Sequence, residues 1–289
     1  MKGRLNMSVN FSVNNNAAAS NILQNMYYVQ NQINTSYSQL SSGNRINNAA
    51  DDPAGFAIAQ NMMQNANGLN TAVQNAQNGI SMIQTATGAM QQVGQILQTL
   101  NTLATEAANG TQNSADLANL QLEWNDLTNQ ISNINANAQF NTISLFTGQA
   151  ISASGITLQV GAAQIGADTQ TLAFSTNSIS LGALQIDSSQ ASIGSLSAAQ
   201  TAMSQVANAI SLLASYEANL GSVQNELNYT VSNLQNAATN LQNAEATITN
   251  TNMAQAYTTF TQNQVLSQVG TAMLSQAQQQ PANILKLLS

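Results

Sequence analysis

The sequence predicts a mainly α-helical protein, in which both chain ends form long, antiparallel, coiled-coil-like helices and a small strand-rich region lies between them. Three observations predict this fold. Apolar residues recur at helical spacing through both ends of the chain, and short β-type runs broken by Gly, Ser and Asn occupy about 140–195. Pro, which helix interiors tolerate poorly, occurs only at positions 53 and 281.

The first predicted helix lies in the N-terminal part of the chain. Its apolar stripe advances in steps of four and three residues, which is the spacing of a coiled-coil seam. The stripe consists of Ile22, Met26, Val29, Ile33 and Leu40. After a segment at 43–55 bounded by Gly, the helical spacing resumes, and we expect a second helix that ends at about Ala108.

A third helix and a strand-rich segment follow. Asn109 and Gly110 are typical of a helix end and a turn, and Ser114 is the expected N-cap of the third helix. Trp124 lies on the apolar stripe of that helix, so we predict that it belongs to the core. From about 140 to 195, short runs rich in β-forming residues predict strands joined by turns, such as a small β-hairpin.

The longest predicted helix begins near Ala199. An apolar residue at every seventh position predicts a seam that partner helices cover. The seam consists of Val206, Leu213, Leu220, Leu227, Leu234, Leu241 and Ile248. No Pro interrupts the pattern before Pro281, so a helix of roughly 75 residues is expected, on the order of 110 Å long. The N-terminal stripes are its predicted partners.

The composition excludes several functional classes. Only 5% of the residues are charged, and four basic residues against eleven acidic ones give a net charge of −7. Because nucleic-acid affinity depends largely on basic contacts to phosphate, we expect no nucleic-acid partner. The sequence has no Cys and no His, which removes the most common metal ligands, thiol nucleophiles and general bases. We therefore predict no enzymatic activity, no metal and no cofactor.

The hydropathy pattern predicts no membrane insertion, because no window approaches 18 consecutive apolar residues. The first residues include Lys2 and Arg4 but lack the apolar run of a cleaved Sec signal. A low density of charge also leaves little repulsion between copies, which favours self-association.

Several stretches of the sequence resemble bacterial flagellins. Residues 40–47 read Leu-Ser-Ser-Gly-Asn-Arg-Ile-Asn and residues 50–59 read Ala-Asp-Asp-Pro-Ala-Gly-Phe-Ala-Ile-Ala, which is similar to the N-terminal signature of that family. Stretches at 107–111 and 220–225 and the tail at 272–288 are also similar to the family. The resemblance therefore covers both ends and both long helical regions.

The resemblance implies a structural subunit that polymerises with itself into the helical filament of the bacterial flagellum, which serves swimming motility outside the cell. Residues 1–48 and 249–289 would form an inner terminal coiled-coil domain, and 49–248 a rod-like outer core domain. Because only about 140–195 separates the helical regions, the protein is a short form without a large variable outer domain. Export through the flagellar type III apparatus is implied, with an export chaperone, a filament cap and hook-junction proteins as partners.

The resemblance also points to two sets of residues with a role in assembly. The signature and contact set is Arg45, Asp51, Asp52, Leu97, Gln98, Leu103 and Glu123. The set on the terminal polymerisation helices is Ile22, Met26, Val29, Ile33, Leu40, Phe260, Leu266, Met273 and Leu274.

Arg45 is the only basic residue between the two chain ends, and it lies six residues before the paired acids Asp51 and Asp52. One expectation is an ion pair or a subunit contact between Arg45 and these acids. The alternative is a solvated turn in which one of the acids caps the helix that Pro53 begins. A metal site is not expected, because no third anionic ligand lies nearby in the sequence.

One departure from the family pattern concerns Thr99 and Asn101, which hold places where many flagellins carry Arg. In the family that surface serves filament contacts and recognition by an innate-immune Toll-like receptor. The resemblance therefore implies weak recognition of this protein by the receptor. Glu123 agrees with the family pattern.

Two other functions are weighed against a filament subunit. A hook-filament junction protein shares the Asp-Asp-Pro type of signature, but its tail usually lacks the Ala-Met-Leu to Gln-Pro pattern seen at 272–281. An extracellular coiled-coil adhesin would be expected to have a Sec signal or a membrane anchor, and neither is visible.

Overall fold

The computed structural model describes residues 16–146, 156–161, 169–172, 179–186 and 192–288. These residues form five α-helices and two antiparallel strand pairs. Their bounds are α1 Ala17–Ser42, α2 Pro53–Ala107, α3 Ser114–Asn137, β1 Gln139–Phe140, β2 Ile143–Ser144, β3 Ile156–Gln159, β4 Thr169–Leu172, α4 Leu196–Thr249 and α5 Met253–Leu288. The predicted fold class, mainly helical with a small strand-rich middle, is confirmed.

The strand pairs are short. In the first pair, Phe140 lies opposite Ile143, and Asn141 and Thr142 form the two-residue turn with φ angles of 49° and 65°. Positive φ at both turn positions matches the twist of an antiparallel pair. In the second pair, Ile156 of β3 lies opposite Leu172 of β4.

Polar side chains at the helix ends explain where α2 and α3 begin. Asp52 Oδ1 accepts a hydrogen bond from the Gly55 N–H at 2.9 Å, directly before Pro53 opens α2. The N-cap of α3 is Asn113, one residue before the predicted Ser114. Asn113 Oδ1 accepts from two backbone N–H groups, and Asp116 returns a bond to the Asn113 N–H, so a complete capping box fixes the start there.

The prediction of one C-terminal helix of roughly 75 residues is wrong, because α4 ends at Thr249 and α5 begins at Met253. The intervening run contains Asn and Thr, whose side chains compete for backbone hydrogen bonds and disfavour helix interiors. Asn252 Oδ1 accepts from the Gln255 N–H at 3.2 Å and so caps α5. Asn250 forms an isolated antiparallel bridge with Asn44.

The protein divides into two compact units, Met1–Met63 with Gln242–Ser289 (unit 1) and Gln64–Leu241 (unit 2). The sequence-based division at 48/49 and 248/249 falls in the loop before α2 and in the last turn of α4.

Unit 2 contains a large hydrophobic core, to which α2, α3, α4, β1 and β3 contribute, and a smaller cluster of Ala72, Val73 and Leu234. Trp124 is fully buried there, which confirms its predicted place in the core. The predicted seven-residue seam is also confirmed within this unit. Its buried members are Val206, Leu213, Leu220, Leu227 and Leu234.

Candidate assembly surface

Helices α1 and α5 of unit 1 pack side by side in antiparallel directions, as the sequence predicts. At one end of the pair, Asn16 Nδ2 donates to the Ala277 carbonyl at 2.8 Å. At the other end, the Thr251 N–H donates to the Gly43 carbonyl at 2.9 Å. Helices α1 and α5 therefore lie side by side along the length of α1.

The end of α1 meets the end of α4 and the start of α5 at a helix junction, which comprises residues 43–52 and 248–252. Gly43 has a φ of 75° and donates to the Gln39 carbonyl, so a left-handed glycine ends α1. The Arg45 N–H then donates to the Thr249 carbonyl at 2.6 Å. Two helix breaks that lie far apart in sequence are thus hydrogen-bonded to each other.

The charged side chains of the junction bind backbone groups. Arg45 Nη2 donates to the Ile248 carbonyl at 2.8 Å, in the last turn of α4, where the helix dipole favours a positive charge. Asp51 Oδ2 accepts from the N–H groups of Asn47 and Asn48 at 3.0 and 2.9 Å. Among these described residues no ion pair joins Arg45 to Asp51 or Asp52, so within the subunit the capping alternative applies.

Few side chains of unit 1 are buried. Among its described residues only Ser36, Ile46, Ala59 and Ala256 are buried. The predicted stripe of α1 is half-buried against α5. Its half-buried members are Ile22, Met26, Val29, Ile33 and Leu40, and Phe260 and Leu274 are half-buried on α5. The α1–α5 pair therefore buries few side chains between its two helices.

Large apolar side chains of the same pair point into solvent. We call this set the outer face; it comprises Leu23, Tyr27, Tyr28, Tyr37, Met253, Tyr257, Val265, Leu266, Val269 and Met273. Val269 is 51% exposed and Met273 is 53% exposed. Smaller or polar residues of α5, such as Asn263, Ser267 and Gly270, are half-buried instead. The sequence reasoning identified Leu266 and Met273 but missed the other members.

A groove of about 220 Å³ runs between α1 and α5 and is mostly apolar. It is lined by Ile22, Asn25, Met26, Val29, Leu266, Val269, Gly270 and Met273. Gly270 permits the close approach of α1, because a Cβ at this position would lie 2.9 Å from Met26 Cγ. The groove places three predicted residues of α1 opposite two predicted residues of α5.

The predicted contact residues of unit 2 fall into two groups. Leu97 is fully buried and Leu103 is buried, so both belong to the core of the subunit. Both side chains therefore lie on the inward face of α2, and a part for them in subunit contacts stays a prediction. Gln98 and Glu123 are exposed and stay candidates for contact.

Two other features, a metal site and a membrane-spanning helix, were also sought in the described part of the protein. It contains no group of three or more acidic, His or Cys side chains placed to hold a metal ion. None of its helices has an apolar stretch long enough to span a membrane.

Comparison with known proteins places these elements among flagellins. The sequence matches the bacterial flagellin N-terminal helical region over residues 13–150 and the C-terminal helical region over 203–288. It is 37% identical to a flagellin of Halalkalibacterium halodurans over 277 residues, which cover 96% of this chain and 99% of the relative.

Two further relatives and one solved structure are also similar. A flagellar filament 31.3 kDa core protein of Treponema maltophilum is 36% identical over 86% of this chain and 90% of the relative. A flagellin of Clostridium tyrobutyricum is 43% identical over 48% of this chain and 37% of the relative, so the match spans little more than a third of that protein. The crystal structure of Bacillus cereus flagellin is 29% identical, covers 56% of this chain and 88% of that one, and has a TM-score of 0.47.

Proposed function

Because the chain belongs to the bacterial flagellin family and is a structural subunit of the flagellar filament, we propose that it polymerises through the outer face of the α1–α5 pair. The observation that carries this proposal is the exposure of large apolar side chains on a helix pair that has few buried residues of its own. Burial of apolar surface is the dominant driving force of most protein association. The occupant of the outer face is a second copy of this protein.

The energetics support this surface. Fully burying a Val or Met side chain stabilises by about 1.5–3 kcal/mol, and Val265, Val269 and Met273 are still about half exposed. Each therefore has on the order of 1 kcal/mol to gain from a neighbouring copy. The low density of charge along both helices adds little repulsion to oppose the contact.

The inner domain of the assembled subunit comprises residues 1–48 and 249–289 in this proposal, and residues 49–248 form the outer rod-like domain. The helix junction supports this division, since α1 ends at Ser42, α4 ends at Thr249 and α5 begins at Met253. All three boundaries lie close to the proposed limits.

Further contacts between subunits are assigned to the exposed polar residues of the predicted set. At Arg45, one guanidinium nitrogen binds the Ile248 carbonyl, and the side chain is exposed, so its remaining N–H groups are available to an acid of another copy. Asp51, Gln98 and Glu123 are exposed as well. Asp52 is assigned mainly to capping α2.

An export chaperone, a filament cap and hook-junction proteins are the proposed additional partners, and the flagellar type III apparatus is the proposed export route. The outer face supports the need for a chaperone. Before assembly, Tyr257, Val265 and Val269 of α5 are exposed to water, and such apolar surfaces favour aggregation unless they are covered.

Weak recognition by the innate-immune receptor is also part of the proposal. Thr99 is exposed and its hydroxyl donates to the Gln95 carbonyl of its own helix at 3.1 Å. Neither Thr99 nor Asn101 supplies a positive charge to a partner, whereas Arg would supply both charge and several donors.

We further propose that the protein has no catalytic activity. The flagellin family is a structural one, and the sequence has no His or Cys to act as base or nucleophile.

The substitution Val269→Asp tests the polymerisation surface. A carboxylate on the outer face would need to be desolvated on assembly, so we expect the variant to stay monomeric when it is seeded with short filament fragments. Val269→Leu keeps the apolar character and is expected to polymerise like the parent protein. Electron microscopy and sedimentation measure polymer, and circular dichroism of the monomer checks that the helix content is unchanged. Filaments of normal length from the Asp variant would contradict the proposed surface.

A further inference from the structure

Three Asn-Gly dipeptides occur in the sequence, at residues 67–68, 78–79 and 109–110. An Asn side chain followed by Gly is the pair most prone to attack by the next backbone nitrogen, because Gly has no Cβ to block the approach. The same dipeptide thus occurs at three places in one molecule.

Two of these dipeptides lie inside α2, which runs from Pro53 to Ala107. In a helix interior, the N–H of Gly68 or Gly79 donates to the carbonyl four residues earlier. The nitrogen is therefore occupied, and the helical backbone holds it away from the preceding side chain. Reaction at Asn67 or Asn78 requires local opening of the helix.

The third dipeptide lies in the exposed turn between α2 and α3. Asn109 Oδ1 accepts a hydrogen bond from the Thr111 N–H at 3.3 Å, which folds the side-chain amide over the Gly110 peptide and polarises its carbonyl. In the described part of the protein, no backbone carbonyl accepts a hydrogen bond from the Gly110 N–H. The space beside Gly110 is open, since a Cβ at this position would have no contact within 4 Å. The Gly110 nitrogen, which is the nucleophile, and the side-chain amide carbon of Asn109, which it would attack, are therefore both open to water at this turn.

We propose that Asn109 is a site of spontaneous deamidation, to which water is the only co-reactant. The Gly110 nitrogen loses its proton to solvent and attacks Asn109 Cγ, and the bond from Cγ to the amide nitrogen Nδ2 breaks as ammonia leaves. Water then opens the resulting cyclic imide at either carbonyl, which gives aspartate or isoaspartate. The net change is one amide and one water converted to one carboxylate and one ammonium ion.

The modification has a local consequence for the turn. It adds a negative charge between Glu106, in the last turn of α2, and Asp116, in the first turn of α3. The isoaspartate product also adds a methylene group to the backbone at the turn. Because the protein has only eleven acidic residues, one more carboxylate is a sizeable change in its surface charge.

Peptide mass spectrometry of the purified full-length protein, incubated at mildly alkaline pH, tests the proposal. Conversion at Asn109 is expected to be at least about tenfold faster than at Asn67 and Asn78, since those sites react only through local opening. Fragmentation that distinguishes aspartate from isoaspartate should find both products at Asn109. Equal rates at the three sites, or faster reaction inside α2, would overturn the proposal.

Two controls separate structure from local sequence. In concentrated denaturant the three sites should react at similar rates, and a persisting preference for Asn109 there would show that the fold does not cause it. Gly110→Ala places a Cβ in open space, at a residue without positive φ, and should slow conversion at Asn109 several-fold while the helix content stays unchanged. Undiminished conversion in this variant would contradict attack by the nitrogen of residue 110.

Discussion

Single side chains set the ends of the helices at the junction of unit 1. Asp52 binds the Gly55 N–H, and Arg45 binds the Ile248 carbonyl. Because the sequence offers so few charges, these two illustrate how the protein uses them: they satisfy backbone groups that a helix end leaves without partners.

Substitution of Asp52 tests its role as a cap. Asp52→Ala removes the acceptor for the Gly55 N–H, and loss of an N-cap costs about 1 kcal/mol. Amide hydrogen exchange in the first turn of α2 should therefore become about fivefold faster in the variant. Asp52→Asn retains an acceptor oxygen and should exchange like the parent protein. If Asn and Ala behaved alike, the charge rather than the hydrogen bond would matter.

The roles of single residues at the junction could be predicted only in part from the sequence. The signature located Arg45, Asp51 and Asp52, but it left open whether they pair or cap. That choice depends on where Ile248 lies, and its position near Arg45 follows only from the packing of distant segments. Leu97 shows the same limit, since a resemblance places it in the sequence but not inside or outside the core.

At the scale of elements, apolar periodicity predicted most helices. The predicted end of α2 near Ala108 differs by one residue from the observed end at Ala107. The break between α4 and α5 was missed because the seven-residue seam continues to Ile248 and no Pro interrupts it. The break lies at the polar residues 249–252, where Asn250 forms a bridge with Asn44, a residue that is distant in sequence.

Two glycines of α2 differ in their surroundings within unit 2. A Cβ at Gly79 would overlap Leu158 of β3 and lie 3.4 Å from Leu227 Cδ1 of α4. Asn75 Nδ2 also donates to the Gln159 carbonyl at 3.0 Å, so β3 docks on this stretch of α2. Gly88 has no atom within 4 Å of such a Cβ.

The same substitution at both glycines tests this docking. Gly79→Val should lower the free energy of unfolding of unit 2 by about 1–3 kcal/mol, because the added methyl groups overpack the contact with β3. Gly88→Val should change it by less than about 0.5 kcal/mol, since its surroundings are open. Fluorescence of the single, fully buried Trp124 during urea unfolding measures both. Equal effects would mean that Gly79 is not a close contact with β3.

At the scale of the whole molecule, the two units differ in how many of their large apolar side chains each buries in its own interior. Unit 2 buries Trp124 and the seam of α4 in its own core, whereas unit 1 leaves the outer face in solvent. Composition and periodicity predicted a self-associating helical protein. They did not separate the inward from the outward apolar residues of α5, because Phe260 and Val265 look alike in sequence and only the position of α1 distinguishes them.

Amide hydrogen exchange, compared between the isolated subunit and the assembled filament, tests most directly whether the α1–α5 pair is the polymerisation surface. We expect a large gain in protection on assembly for residues 17–42 and 253–279. Residues 82–107 of α2, whose core side chains are already buried within the subunit, should change little. Unchanged exchange in α1 and α5, with new protection confined to unit 2, would contradict polymerisation through the α1–α5 pair.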